Sequence, residues 1–224
     1  MNEFELTGQV RSHIIELHQP KCTLHHEAVH SFMAMHQAAC REGIQLHVRS
    51  AFRSFETQLS IWNAKWRGER PLLTRDGHVL NHAELTPTQR LDAILIWSAL
   101  PGGSRHHWGS DIDLIDAQAI PTGYQVQLIP DEYAANGIFS NMSRWLERHA
   151  ATYGFFRPYR TDRGGVSPEP WHYSYAPIAL KALESLNVAM LQRAIEASDI
   201  EGKSLILEHL PQIYRRYVLA VDTP

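Results

Sequence analysis

The stretch Ser104-Arg105-His106-His107-Trp108-Gly109-Ser110-Asp111-Ile112-Asp113 crowds two imidazoles and two carboxylates into ten residues. Further on, Glu169-Pro170-Trp171-His172 adds a third imidazole and another acid. A catalytic zinc takes three protein ligands from His, Asp, Glu or Cys and keeps a fourth position for water. His106, Asp113 and His172 could supply the three, and Glu169, three residues before a ligand, could act as general base.

That reading imposes a geometric condition. His106 and Asp113 are seven residues apart, so one uninterrupted strand would point them to opposite faces. Gly109 is the place for a bulge or bend that breaks the alternation. In the second segment Pro170 pushes Glu169 toward an extended or polyproline conformation. With three residues per polyproline turn, Glu169 and His172 would then face the same way.

Working outward, DIDLID (Asp111–Asp116) alternates as a strand, as does IQLHVRSAF (Ile44–Phe52). FFRPY and WHYSY read as short strands. A helix is predicted from about Leu24 to Arg41, with Thr23 as N-cap, Gly43 as stop and an apolar stripe of Ala28, Phe32, Met35 and Ala39. Ser54 caps a helix running through Trp62 and Trp66. Thr86-Pro87-Thr88-Gln89 combines an N-cap, a first-turn proline and a capping-box glutamine, opening a helix to about Leu100. Arg75-Asp76-Gly77-His78 is a turn signal. Ser140 to Tyr153 is a further helix, ended by Gly154. Trp62, Trp66, Trp97 and Trp145 read as core, whereas Trp108 and Trp171 read as packing residues that shape cleft walls. After Pro177 the pattern is helical and amphipathic to about Tyr217. The expectation is an α+β fold: a small antiparallel sheet flanked by helices, with residues 1–176 as the catalytic domain and 177–224 as a C-terminal helical extension packed on it.

Composition excludes several classes. At 224 residues with 44% hydrophobic and 20% charged content, the chain suits one soluble domain with an appendage. A net charge of -3 lacks the basic footprint of a nucleic-acid binder. The longest apolar run, near AILIWSAL, is too short to span a bilayer. MNEFELTGQVRSHIIEL lacks the basic start and apolar centre of a secretory signal, so a cytoplasmic location is expected. Cys22 and Cys40 could pair but make no disulfide framework.

A rival metal motif lies upstream. His26-Glu27-Ala28-Val29-His30 matches H-E-x-x-H, which on a helix presents two imidazoles with a glutamate beside them. On the predicted helix, however, His26 and His30 fall roughly 100–140° from the apolar stripe, on a solvated face. In a chain with 14 histidines, about one such pair is expected by chance. These are read as surface histidines.

SRHHWGSDID resembles the S-x-H-x-x-G-x-x-x-D motif, and EPWH the second motif, of the M15 (VanY-like) D-Ala-D-Ala carboxypeptidase family, zinc peptidases that share a core with lysostaphin-type enzymes and Hedgehog domains. Ser50-Ala51-Phe52-Arg53-Ser54-Phe55-Glu56-Thr57-Gln58 resembles that family's S-G-Y-R-S-x-x-x-Q. The resemblance covers about Leu24 to Pro177. It implies that His106, Asp113 and His172 bind Zn2+, that Glu169 is the catalytic base and Arg53 the oxyanion stabiliser, and that Gln58 and Ser104 help hold substrate. Two departures stand out: Asp111 replaces a small residue two before the aspartate ligand, and Ala51-Phe52 replaces Gly-Tyr. Asp111 shares a strand face with Asp113 and could approach the metal. His107 should point away from the site, toward the surface or behind the ligands.

The resemblance further implies a hydrolase of peptidoglycan stem peptides or muropeptides ending in D-Ala. The expected location favours an L,D-carboxypeptidase acting on tetrapeptides in murein recycling. D,D-carboxypeptidase or dipeptidase, phage-type endolysin peptidase and a non-enzymatic zinc-binding recognition module stand as alternatives.

Overall fold

Alternation along Asp111–Asp116 sets the architecture, because successive side chains of a strand point to opposite faces. Ile112 and Leu114 enter a core with Phe32, Met35, Phe139 and Trp145, while Asp111 and Asp113 face the other way. The computed structural model describes residues 1–224. Its elements are α1 (Glu3–Leu6), β1 (Ile14–His18), β2 (Lys21–His25), α2 (Val29–Arg41), β3 (Leu46–Ser50), α3 (Phe55–Trp66), α4 (Pro87–Trp97) and β4 (Asp111–Asp116), followed by α5 (Pro130–Tyr133), α6 (Ser140–His149), β5 (Phe155–Phe156), β6 (His172–Tyr175), α7 (Ala176–Ser185), α8 (Val188–Glu196) and α9 (Lys203–Ile213). The fold is α+β. A four-stranded antiparallel sheet in the order β3-β4-β6-β5 carries the site, and β1-β2 forms a separate hairpin.

Local signals explain most of these boundaries. Ser54 caps α3 by accepting from the Thr57 amide, and Thr86 and Gln89 close a reciprocal capping box on α4. The α4 helix ends at Trp97, three residues before the predicted Leu100, because Ser98 turns extended. Gly154, at φ 78°, stops the turn that follows α6.

The largest departure is at the first long helix. Leu24 and His25 belong to β2, Thr23 caps nothing, and α2 begins at Val29 after a 3-10 turn over His26–Ala28. Pairing with β1 and burial of Cys22 and Leu24 along one strand face override the helical pattern. The apolar stripe itself is as expected: Ala28, Phe32, Met35 and Ala39 are all fully buried. The hairpin also braces the site, since the Thr23 carbonyl accepts from the Phe52 amide and the His25 amide donates to Gly109. Cys22 and Cys40 are free thiols, the first buried and the second exposed.

A second core lies on the far side of the sheet. Trp62 of α3 and Leu91 and Ile94 of α4 pack with Leu191 and Ile195 of α8 and Ile206 and Leu210 of α9. The C-terminal helices therefore share one apolar interior with the helices that wall the site. No helix is long and apolar enough to cross a membrane.

Candidate active site

His106 sits in a single 3-10 turn, Arg105–Trp108, which resolves the odd spacing to Asp113. The break is this turn rather than a bulge within a strand. Gly109 ends it at φ 65°, where a side chain would also collide with Ile14 of the hairpin. The His106 Nδ1–H donates to the Ala51 carbonyl at 2.8 Å, which leaves Nε2 facing Asp113 Oδ2 at 3.4 Å.

Asp113 and His172 are direct cross-strand partners in the β4-β6 pair. Glu169-Pro170-Trp171-His172 is a turn closed by the His172 amide donating to the Glu169 carbonyl at 3.3 Å, so the expected polyproline geometry is replaced. Proline at the second position of such a turn presets the backbone. The outcome for the side chains is a close pair, with His172 Nδ1 lying 3.1 Å from Glu169 Oε2 and 3.3 Å from Asp113 Oδ1.

One ligand atom each from His106, Asp113 and His172 lies within 4.8 Å of the others, and all three residues are buried. Three features fit a divalent cation. Asp113 Oδ1 is a buried oxygen with no hydrogen-bond partner. Both imidazoles use their outward nitrogens as donors, His106 to Ala51 and His172 Nε2–H to Asp111 Oδ2 at 2.9 Å. Their remaining lone pairs thus converge on carboxylate oxygens, which is unfavourable without a positive charge between them. Burial opposes charge on these groups, yet the neighbours dominate. Asp111, Asp113 and Glu169 hold the His172 pKa well above its usual value, while His106 and His172 hold the Asp113 carboxyl well below the usual range.

Asp111 is the residue whose role the sequence left open. Fully buried, it accepts from Arg105 Nε at 2.8 Å, Ser110 Oγ at 2.7 Å, Ser174 Oγ at 2.8 Å and His172 Nε2. It stands behind His172 rather than beside Asp113, and fixes the imidazole's tautomer and ring plane. Burial pushes its pKa up, but Arg105 and His172 overcome that and keep it well below the ordinary value.

Arg53 lines the same cleft, its guanidinium held by Gln58 Oε1 at 2.7 Å and Ser50 Oγ at 2.8 Å. Burial lowers its pKa, opposed by the charges of Asp113 and Glu169. Gln58 does not reach the cleft. It is fully buried, and its amide nitrogen donates to the Ala99 carbonyl at 2.7 Å, so it acts on Arg53 instead. Ser104 does line the cleft. His107 is buried, not at the surface: its Nδ1–H donates to the Arg53 carbonyl at 2.7 Å and its Nε2 accepts from the Gly102 amide at 3.0 Å. Burial depresses its pKa to about 3, which keeps the acceptor nitrogen unprotonated.

The cleft, about 410 Å³, is also lined by residues the sequence reading passed over: Lys65, Arg70 and Tyr159. Tyr159 packs edge-on against His172, with ring centres 5.0 Å apart. Trp171 is a wall residue, as expected, and Trp97, expected in the core, stacks on it at 6.4 Å and faces the cleft. Trp108 is wholly interior, its indole N–H bonded to the Leu6 carbonyl. In the upstream motif, His26 and His30 fall in different elements and are exposed, so the single helix that H-E-x-x-H requires does not exist.

Two histidines and one aspartate brought together at the edge of an antiparallel pair, with a spare carboxylate beside them, offer the donor set that a metal-dependent hydrolase uses. The chain belongs to the VanY family, D-alanyl-D-alanine carboxypeptidase, whose profile matches residues 21–178. An uncharacterised Haemophilus influenzae protein is 33% identical over 122 residues, spanning 54% of this chain and 93% of the relative. A D-alanyl-D-alanine carboxypeptidase of Enterococcus faecalis is 30% identical over 145 residues, which is 63% of this chain and 44% of that protein. Among solved structures, VanYB in complex with D-alanine-D-alanine shares the fold with a TM-score of 0.54 at 23% identity, over 85% of this chain and 92% of VanYB. A VanY D,D-pentapeptidase in complex with Zn(II) does so with a TM-score of 0.52 at 23% identity, over 81% and 88%.

Proposed function

We propose that this protein is a zinc-dependent carboxypeptidase that releases the terminal D-alanine from peptidoglycan stem peptides, with the tetrapeptide as its substrate. The carrying observation is the unpartnered Asp113 Oδ1, buried between two imidazoles whose other nitrogens are tied down, with Glu169 alongside. Zinc held by His106, Asp113 and His172 supplies Lewis acidity toward water and the scissile carbonyl.

The chain's own groups do the rest. Glu169 accepts a proton from the attacking water on a carboxylate oxygen and returns it to the departing amine. Arg53, braced by Gln58 and Ser50, donates to the carbonyl oxygen as negative charge develops on it. Ser104, on the cleft wall, offers a hydroxyl to the substrate backbone.

A volume of about 410 Å³, with Ile61, Leu73 and Trp97 among its walls, has room for the long diamino-acid side chain that precedes the terminal D-Ala in a tetrapeptide. With that substrate the enzyme is an L,D-carboxypeptidase and serves murein recycling. A second reading, cleavage between two D-alanines, is favoured by the family description and the Enterococcus faecalis relative. Purified tetrapeptide and pentapeptide muropeptides, incubated with and without a chelator, separate the two. The expected result is chelator-sensitive release of D-Ala from the tetrapeptide, and release from the pentapeptide alone would establish the second reading.

A further inference from the structure

Four cations line the cleft: Arg105 is neutralised by its ion pair with Asp111, whereas Arg53, Lys65 and Arg70 form no ion pair within the protein. Arg53 is committed to Gln58 and Ser50 and reaches toward Asp113 and Glu169. Lys65 and Arg70 have no such duty. Lys65 lies seven residues after Gln58 on the same face of α3, a face that otherwise buries Phe55 and Trp62. Its ammonium group donates to the Ser98 hydroxyl at 2.6 Å, which leaves two of its three N–H donors free for the cleft. Arg70, exposed, flanks it at the cleft's edge.

A lysine desolvated in this way is costly unless something compensates it. Glu169, the acid whose charge acts on it, is not within ion-pair distance, and Arg53 and Arg70 add repulsion. Counting charges, a bound divalent cation with Arg53, Lys65 and Arg70 exceeds Asp113 and Glu169 by three. The cleft is therefore built for an anion, and the ligand arriving at such a site is a carboxylate.

We infer that Lys65 and Arg70 form the subsite for the free terminal carboxylate of the peptide, holding the residue that departs. This rests on the proposed carboxypeptidase activity for the choice of the terminal group, since that carboxylate lies one residue from the bond being cut. The subsite selects for exopeptidase cleavage, because a chain continuing past the scissile bond offers no free carboxylate to Lys65 and Arg70.

The test uses two probes, N-acetyl-D-alanine and its amide, titrated calorimetrically into the zinc-loaded full-length protein. N-acetyl-D-alanine has only a terminal carboxylate, so internal acids of the stem peptide play no part. Wild type is expected to prefer the acid by about tenfold. Lys65→Met and Arg70→Met should each cut that preference severalfold, Lys65→Arg should keep it, and Lys181→Met, on the exposed face of α7, should leave it unchanged. Equal binding of acid and amide by wild type, or an acid preference that survives in Lys65→Met, would overturn the assignment; the latter places the carboxylate elsewhere in the cleft. On tetrapeptide, Lys65→Met should raise KM about tenfold with kcat within about twofold. Should wild type cleave no muropeptide while the acid preference follows Lys65, the proposed activity fails and the subsite stands.

Discussion

Asp111 and His172 sit diagonally across the β4-β6 pair, Oδ2 to Nε2 at 2.9 Å, with Ser174 filling the position directly opposite Asp111. The contact turns the imidazole so that Nδ1, not Nε2, faces Asp113 and Glu169. Removing the carboxylate should therefore loosen the metal site without touching a ligand. Asp111→Asn is expected to weaken zinc affinity about 10–100-fold, read by competition with a chromophoric chelator. Asp111→Ala also strands the buried Arg105 guanidinium and should cost roughly 3–5 kcal/mol in chemical denaturation.

Glu169 touches His172 but belongs to no closed hydrogen-bond network on its other side. Glu169→Gln should bind one zinc per chain as wild type does, while D-Ala release falls about 10²–10⁴-fold. Elemental analysis together with turnover decides it: a variant at wild-type rate removes Glu169 from the chemistry.

Arg53 and Gln58 are predicted to separate in kind. Arg53→Met should lower kcat about 10²–10³-fold, as expected for loss of a preorganised donor to the developing oxyanion. Gln58→Leu keeps the volume of a wholly buried side chain but frees the guanidinium, so kcat should fall less than in Arg53→Met with KM little changed. Steady-state kinetics on tetrapeptide measures both. Equal losses in the two variants would mean that Gln58 acts by more than holding Arg53.

Lys65 gives a pH signature. Burial lowers its pKa to about 8, with Glu169 opposing and Arg70 and Arg53 reinforcing the shift, and the neutral Ser98 hydroxyl as its hydrogen-bond partner. Below that value the ammonium is charged and attracts a carboxylate; as pH rises through it, the charge is lost. KM for the tetrapeptide should therefore climb above pH 8 in wild type and stay flat in Lys65→Arg, whose guanidinium keeps its proton. A wild-type KM that is level from pH 7 to about 10 contradicts the shift.

The upstream histidines should be silent. His26→Ala and His30→Ala are expected to retain the zinc stoichiometry and turnover of wild type, because both side chains are exposed and belong to separate elements. Loss of the metal in either variant would move the site to the hairpin end of the molecule.

The sequence by itself singled out the side chains proposed to do the chemistry. His106, Asp113, Glu169, His172 and Arg53 stand in motifs that resemble those of one family, and the fold brings all five to one cleft; the caps at Ser54 and Thr86 were legible because capping is a contact within four residues. Packing decided the rest. That Leu24 joins a strand, that Gln58 points at Arg53, that His107 is interior, and that Asp111 braces His172 all depend on partners dozens of residues away. Lys65 shows the reason most plainly: as a lysine on a helix it looks like solvated surface, and only the packing of α3 against the cleft turns it into a desolvated charge. Local spacing fixes local geometry, whereas burial and the choice of hydrogen-bond partner belong to the folded chain as a whole.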